Sequence, residues 1–306
     1  MVQFSHQNVI SIEDLTLENI RQIFDLASMY SNTWNDFNAH TTSLSGKTVA
    51  LAFFENSTRT KCSFEIAARR LGATVINFAA STSSQQKGES ILDTVHTLEA
   101  MGVDMMVLRH QSSGIVNFLS KHSNIRFLNA GDGQQNHPTQ ALLDAYTIEN
   151  TVKKPIKGLK VCIVGDILHS RVARSNIQLL SKMGAIVSIC GPKTILPKHN
   201  PFQVSTIGTI QDAVIQNDVL IVLRLQKERM EIGLLPSLEE FSKYYGINQS
   251  VIALNPSIVI LHPAPVNYGV EIAFDVAQNY PHSFIKHQVT NGVAIRMALL
   301  NLISQS

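Results

Sequence analysis

Residues 49–72 read Val-Ala-Leu-Ala-Phe-Phe-Glu-Asn-Ser-Thr-Arg-Thr-Lys-Cys-Ser-Phe-Glu-Ile-Ala-Ala-Arg-Arg-Leu-Gly. The uninterrupted apolar run Val49–Phe54 predicts a buried strand, and Ser57-Thr58-Arg59-Thr60 sits at the turn after it. From Phe64 the apolar positions Phe64, Ala67, Ala68 and Leu71 recur at helical spacing, and Gly72 can close the helix. A helix start leaves unpaired N–H groups and the positive end of the dipole. Three hydroxyls and an arginine gathered there make a phosphate cradle without a glycine-rich loop. The plain alternative is a Ser/Thr cap beside a surface arginine, but a cap needs only one hydroxyl.

Outward from this stretch, strand-like and helix-like segments alternate. Strands are expected at Thr48–Phe54, Thr74–Ala79, Asp104–Leu108 and Arg126–Asn129, with helices at Lys61–Leu71, Glu89–Met101 and Gly114–His122. The second half repeats the rhythm. Strands are expected at Lys160–Val164, Ala185–Cys190, Val219–Leu223 and Ser257–Leu261, with helices at Arg171–Met183, Gln211–Gln216 and Leu238–Tyr245. The pattern predicts an α/β fold of two domains, each a parallel sheet flanked by helices in three layers. A helix at His137–Thr147, entered by Pro138, and the polar hinge Thr151–Pro155 place the boundary near residue 150. The expected domains are 1–149 and 150–289, the first completed by a terminal helix at 290–306 around the apolar run Val293–Ile303.

A chain of 306 residues with 44% hydrophobic content is globular, and a net charge of +2 supplies no basic stripe for nucleic acid. Cys62, Cys162 and Cys190 match neither a disulfide framework nor a metal-ligand spacing. The last two lie in strand-like runs and read as small core residues. No apolar stretch approaches the roughly 20 residues of a membrane span, and the opening Met-Val-Gln-Phe-Ser-His-Gln has no secretory pattern. A cytoplasmic protein without metal or cofactor is expected.

Parallel sheets bind ligands beyond the carboxyl ends of their strands. There the sequence sets Ser57–Thr60, then Arg109 and His110, then Gly131-Asp132-Gly133 and His137-Pro138-Thr139-Gln140. In the second half Gly165-Asp166 and Arg171 follow one strand, Arg224-Leu225-Gln226 another, and His262-Pro263-Ala264-Pro265 the last. Arg59, Arg109, Arg171 and Arg224 together suit strongly anionic ligands, because guanidinium forks grip phosphate and carboxylate in paired hydrogen bonds. His137, at a helix start, is expected to stay neutral and able to donate to a carbonyl oxygen. His262, before two prolines, is expected to shape a turn. The polar stretch 81–89 is expected to be a loop.

Ser-Thr-Arg-Thr after a strand, His-Pro-Thr-Gln, Arg-Leu-Gln and His-Pro-Ala-Pro, in this order, resemble the aspartate carbamoyltransferase catalytic chains of the aspartate/ornithine carbamoyltransferase superfamily. The resemblance runs from the first strand to the terminal helix. It implies transfer of the carbamoyl group of carbamoyl phosphate to the amino group of L-aspartate, an early step of pyrimidine synthesis. The resemblance adds that the substrates lie in the cleft between the two domains. By similarity Ser57, Thr58, Arg59 and Thr60 bind phosphate. Thr60, Arg109 and His137 contact the carbamoyl oxygen, Gln140 the carbamoyl amine, and Arg171, Arg224 and Gln226 the aspartate carboxylates. Backbone groups of Ala264 and Pro265 contact the substrates, and the resemblance allows a cis bond between them. Ser83 and Lys87 match loop residues that such enzymes insert into a neighbouring subunit's site, so a homotrimer with shared sites is implied, with regulatory chains or a dihydroorotase as possible partners. Tyr268 departs from the arginine common in relatives.

Ornithine carbamoyltransferase is the nearest alternative, but its Ser-Met-Gly and His-Cys-Leu-Pro motifs are absent. A nucleotide-binding module would use Val161–Asp166, yet Asp166-Ile167-Leu168-His169 stands where G-x-G-x-x-G would continue. A catalytically dead scaffold is disfavoured because every proposed position is filled.

Overall fold

The computed structural model describes residues 4, 6–32, 41–79, 90–199, 201–225 and 237–305. They form two compact units, Met1–Leu142 with Thr290–Ser306, and Leu143–Val289. The division falls inside a helix, ahead of the boundary near 150 read from the sequence.

The first unit begins with α1 (Leu17–Asn32), followed by β1 (Thr48–Phe53), α2 (Thr58–Arg70), β2 (Thr74–Ala79), α3 (Ile91–Ala100), β3 (Met105–His110), α4 (Ile115–Ser120) and β4 (Arg126–Asp132). The four strands are parallel in the order β2-β1-β3-β4. Ala50, Ala52, Met106 and Leu108 pack with Val95 and Leu98 of α3 and Val116 and Leu119 of α4. The alternate residues Val49, Leu51, Met105 and Val107 are also buried, so both sheet faces are covered and the strands read as continuous apolar runs. α2 ends as the sequence predicts: Gly72 takes a left-handed φ of 84°, while Gly72 N–H bonds Arg69 O and Ala73 N–H bonds Ala68 O.

Three differences stand out in this unit. α1 has no counterpart in the sequence reading. Its start is capped reciprocally, with Thr16 N–H on Asn19 Oδ1 and Asn19 N–H on Thr16 Oγ1. Arg109 and His110, expected after the third strand, lie within β3. Arg109 is in register with Phe53, and its carbonyl accepts the Phe54 N–H at 2.8 Å, so pairing outlasts the apolar run. β4 likewise continues to Asp132, with a register shift opposite Leu108 and His110.

The second unit takes up most of α5 (Pro138–Val152), then β5 (Lys160–Val164), α6 (Arg171–Lys182), β6 (Ile186–Cys190), β7 (Ser205–Ile207), α7 (Ile210–Gln216) and β8 (Val219–Val222). It continues through α8 (Leu238–Tyr245), α9 (Gln249–Ile252), β9 (Val259–Leu261) and α10 (Phe274–Asn279) to the start of α11 (Ile285–Ser304). Its five parallel strands run β7-β6-β5-β8-β9. Cys162 and Cys190 are buried in the core beside Leu220, Val222 and Ile260. Burial pushes both thiols up to about 12, which makes them inert packing groups. β7, α9 and α10 are additions to the elements read from the sequence.

The same device starts both sheets. Asp104 accepts the Thr48 N–H at 2.8 Å and the Lys47 ammonium at 2.9 Å, and Asp218 accepts the Lys160 N–H at 2.9 Å. Flanking the sheets, Val9 bonds Phe127 and Asn129 of β4, and His282 and Phe284 bond Ile260 of β9.

Candidate active site

Each sheet reverses its direction of winding once. The chain goes outward from β1 to β2, then crosses to β3 on the other side of β1. It goes outward from β5 through β6 to β7, then crosses to β8. Crevices at such reversals are where open α/β sheets bind ligands. Ser57–Thr60 follows β1 and Arg109 lies at the next-to-last position of β3. Arg171 follows β5 and Arg224 follows β8. The sequence-predicted cations therefore flank the reversal in both units.

In the first unit, Ser57 is the N-cap of α2, yet its side chain makes no capping hydrogen bond. Thr58, Arg59 and Thr60 form the first helical turn, with Thr58 and Arg59 exposed and Thr60 half-buried. Ser57 therefore does not serve α2 as a side-chain cap. Arg109 is held from two sides: Nε lies 3.2 Å from Glu55 Oε2, and Nη1 donates to Ala130 O at 3.3 Å. His110 beside it is pushed toward the neutral form by burial, against the opposing charges of Glu55 and Asp132. Its Nδ1 accepts the Ser112 N–H.

His137 and Gln140 are both buried at the start of α5. The His137 carbonyl accepts the N–H groups of Gln140 and Ala141, and its Nδ1 lies 3.5 Å from Thr139 Oγ1. The loop that delivers His137 is fixed by Asp132, which is fully buried. Its Oδ1 accepts Asn136 N–H at 3.0 Å and Asn129 Nδ2–H at 2.9 Å, and its Oδ2 accepts Gly114 N–H at 2.7 Å.

In the second unit, Arg171 is the first residue of α6 and only 2% exposed. A guanidinium this buried is not part of a solvated face, so the surface reading of Arg171 does not apply. Ser170 caps the helix through Ala173 N–H. Asp166 shapes the loop before it by accepting from the His169 backbone and from His169 Nδ1, each near 3.0 Å. Arg224 is half-buried. The Ala264–Pro265 bond is cis, and Ala264 has a left-handed φ of 52°. His262 is buried and shapes this turn, as its Nδ1 accepts the Ala264 N–H at 2.8 Å. The His262 N–H in turn donates to Gln288, which bonds Asp144, which bonds Asn176 of α6.

Ser83, Lys87 and Gln226 lie outside the described residues. Among the described residues there is no cluster of three or more His, Cys, Asp or Glu side chains placed to hold a metal ion, and no helix is long and apolar enough to cross a membrane.

Residues 7–150 match the family model for the carbamoyl-phosphate-binding domain of aspartate/ornithine carbamoyltransferase, and residues 157–303 match that for its aspartate/ornithine-binding domain. The chain belongs to the aspartate/ornithine carbamoyltransferase family. It is 48% identical over 306 residues to the aspartate carbamoyltransferase catalytic subunit of Cytophaga hutchinsonii, covering 99% of each chain. Among solved structures, the catalytic subunit of M. jannaschii aspartate transcarbamoylase matches with a TM-score of 0.86 and 34% identity, over 98% of this chain and 99% of that one. Trypanosoma cruzi aspartate transcarbamoylase in complex with N-(phosphonacetyl)-L-aspartic acid matches with a TM-score of 0.88 and 28% identity, over 97% and 95%. The expected architecture of two parallel-sheet domains flanked by helices is the family's.

Tyr268, where the resemblance led to an arginine being expected, is held locally. Its ring meets Phe274 edge-on at 5.1 Å and its hydroxyl accepts from Gln278 at 2.9 Å, so α10 holds it at the surface. The residues that sequence reading missed are acidic anchors: Glu55, Asp144 and Glu271; Asp132 was noted at the end of its strand, but without its anchoring role. A single carboxylate carries no sequence signal that separates an anchor from a solvated charge.

Proposed function

We propose that the chain is an aspartate carbamoyltransferase catalytic chain, transferring the carbamoyl group of carbamoyl phosphate to the amino group of L-aspartate to give N-carbamoyl-L-aspartate and phosphate, in pyrimidine synthesis. The observation that carries this is the pair of arginine-flanked sheet reversals, one beside the hydroxyl-rich start of α2. Each of the three relatives named above is an aspartate enzyme, which favours aspartate over ornithine as acceptor.

In this reading Ser57, Thr58, Arg59 and Thr60 hold the phosphate with the N–H groups and dipole of α2. The aspartate amine attacks the carbamoyl carbon, and negative charge grows on the carbonyl oxygen. Arg109, His137 and Thr60 donate to that oxygen, each such contact typically worth about 3 kcal/mol in the transition state. Gln140 orients the carbamoyl amine. As the C–O bond breaks, the phosphate leaves with added charge toward Arg59 and Lys87. Arg171, Arg224 and Gln226 hold the two carboxylates of aspartate, while Ala264 and Pro265 offer backbone contacts. Holding two substrates in place can itself supply roughly 7–11 kcal/mol of the barrier.

The reading extends to a cytoplasmic homotrimer in which Ser83 and Lys87 serve a neighbouring chain's site. Native mass, measured with and without lysate, decides whether regulatory chains or a dihydroorotase join it. The deciding assay supplies carbamoyl phosphate with L-aspartate or L-ornithine, without added metal. Carbamoyl aspartate should form; turnover of ornithine alone would overturn the assignment.

A further inference from the structure

Glu271 is fully buried, a few residues beyond the Ala264–Pro265 bond. Its Oε1 accepts the Leu225 backbone N–H at 2.8 Å and Asn267 Nδ2–H at 2.5 Å. Its Oε2 accepts the Asn267 backbone N–H at 2.6 Å. Because His262 Nδ1 accepts from Ala264, the ring proton sits on Nε2, which lies 3.4 Å from Glu271 Oε2. Asn267 Nδ2 also reaches the Leu225 carbonyl at 3.4 Å. One carboxylate thus grips the backbone between Arg224 and Gln226, and through His262 and Asn267 it braces both ends of the Ala264–Pro265 turn.

We propose that Glu271 is a positioning residue for the amino-acid substrate. It fixes the loop bearing Arg224 against the turn after β9, so that the guanidinium meets a carboxylate of L-aspartate at the right separation. The inference rests on the carbamoyl-transfer reading. Most proposed contacts to carbamoyl phosphate lie in the first unit, so the two substrates should respond differently. A glutamine is the same size as Glu271, but its amide NH2 would face a backbone N–H donor and leave a buried group unpaired.

The test is steady-state kinetics of Glu271→Gln and Asn267→Ala against the unaltered protein, varying each substrate with the other saturating. Glu271→Gln should raise KM for L-aspartate about tenfold or more, the effect of losing a hydrogen bond to a charged group, and raise KM for carbamoyl phosphate by a clearly smaller factor, since only the Ala264–Pro265 turn of that substrate's proposed contacts leans on Glu271. Asn267→Ala, at a partly exposed position, should raise the aspartate KM in the same direction by a smaller factor. Equal effects on both KM values, or an unchanged aspartate KM in either variant, would overturn the proposal. If Glu271→Gln does not fold, Asn267→Ala decides alone. Absence of aspartate carbamoylation by the unaltered protein would instead sink the functional reading.

Discussion

Arg59 stands in the first turn of α2, exposed, at a helix start whose cap hydroxyl is not used as a cap. If the cradle reading is right, Arg59→Ala should cut kcat/KM for carbamoyl phosphate by about 100-fold or more, since a paired charge-assisted contact that strengthens as phosphate leaves is lost. Lysine there should recover little, lacking the planar fork; near-normal turnover of either variant would remove Arg59 from the site. On the other sheet, Arg224→Ala should raise KM for L-aspartate about tenfold or more, as loss of a charge-assisted hydrogen bond predicts, with carbamoyl phosphate binding kept. These residues were legible because arginine and clustered hydroxyls after apolar strands are rare enough to notice. Glu271 was not, and Asp132 was noted only by its place at a strand end. Their importance lies in the backbone N–H groups that converge on them, and that convergence exists only once distant loops have folded.

At the level of elements, the long apolar strands and the helices with 3.6-residue spacing were readable to within a few residues. The exceptions have physical causes. β7 is three residues long and largely exposed, and α9 and α10 are four and six residues, too short for periodicity to accumulate. β3 and β4 outran their apolar segments because strand pairing is made by the backbone, whatever the side chain. Asp104 illustrates how the strands are set at their opposite ends. Burial works against its charge, but the Lys47 ammonium and the Thr48 N–H outweigh it and hold its carboxyl below the usual range. A lowered pKa contributes stability above the unfolded-state value, and that contribution is lost as pH falls through the folded-state value. Asp104→Asn should therefore cost about 1 kcal/mol at neutral pH, kept modest by solvent around Lys47. Denaturant unfolding of the two proteins should converge as the pH drops below about 4. A gap that persists in acid would mean the loss is steric.

For the whole molecule, the test concerns assembly. Mixing inactive His137→Ala and Lys87→Ala proteins should restore part of the activity if Lys87 serves a neighbour's site, because hybrid trimers then contain some sites with both residues intact. No recovery after verified subunit exchange would confine each site to one chain. Both units share one plan: a sheet wound outward from its first strand and then back across it, with an aspartate at the amino ends and arginines at the carboxyl ends. The two-domain architecture was legible from the alternation of segments. The chain can be divided in two places: the compact units part inside α5, after Leu142, whereas the two family models part between residues 150 and 157, beside the hinge read from the sequence.

Val9 beside β4, and His282 and Phe284 beside β9, make two backbone hydrogen bonds each to the outermost strand of their sheet. Those bonds occupy groups that would otherwise offer a template to a strand from another chain. A newly made chain that has formed its sheets but not yet laid down residues 8–10 or 282–284 is open to edge-to-edge pairing. These two short passes thus occupy one edge of each sheet, a duty quite separate from the protein's chemistry.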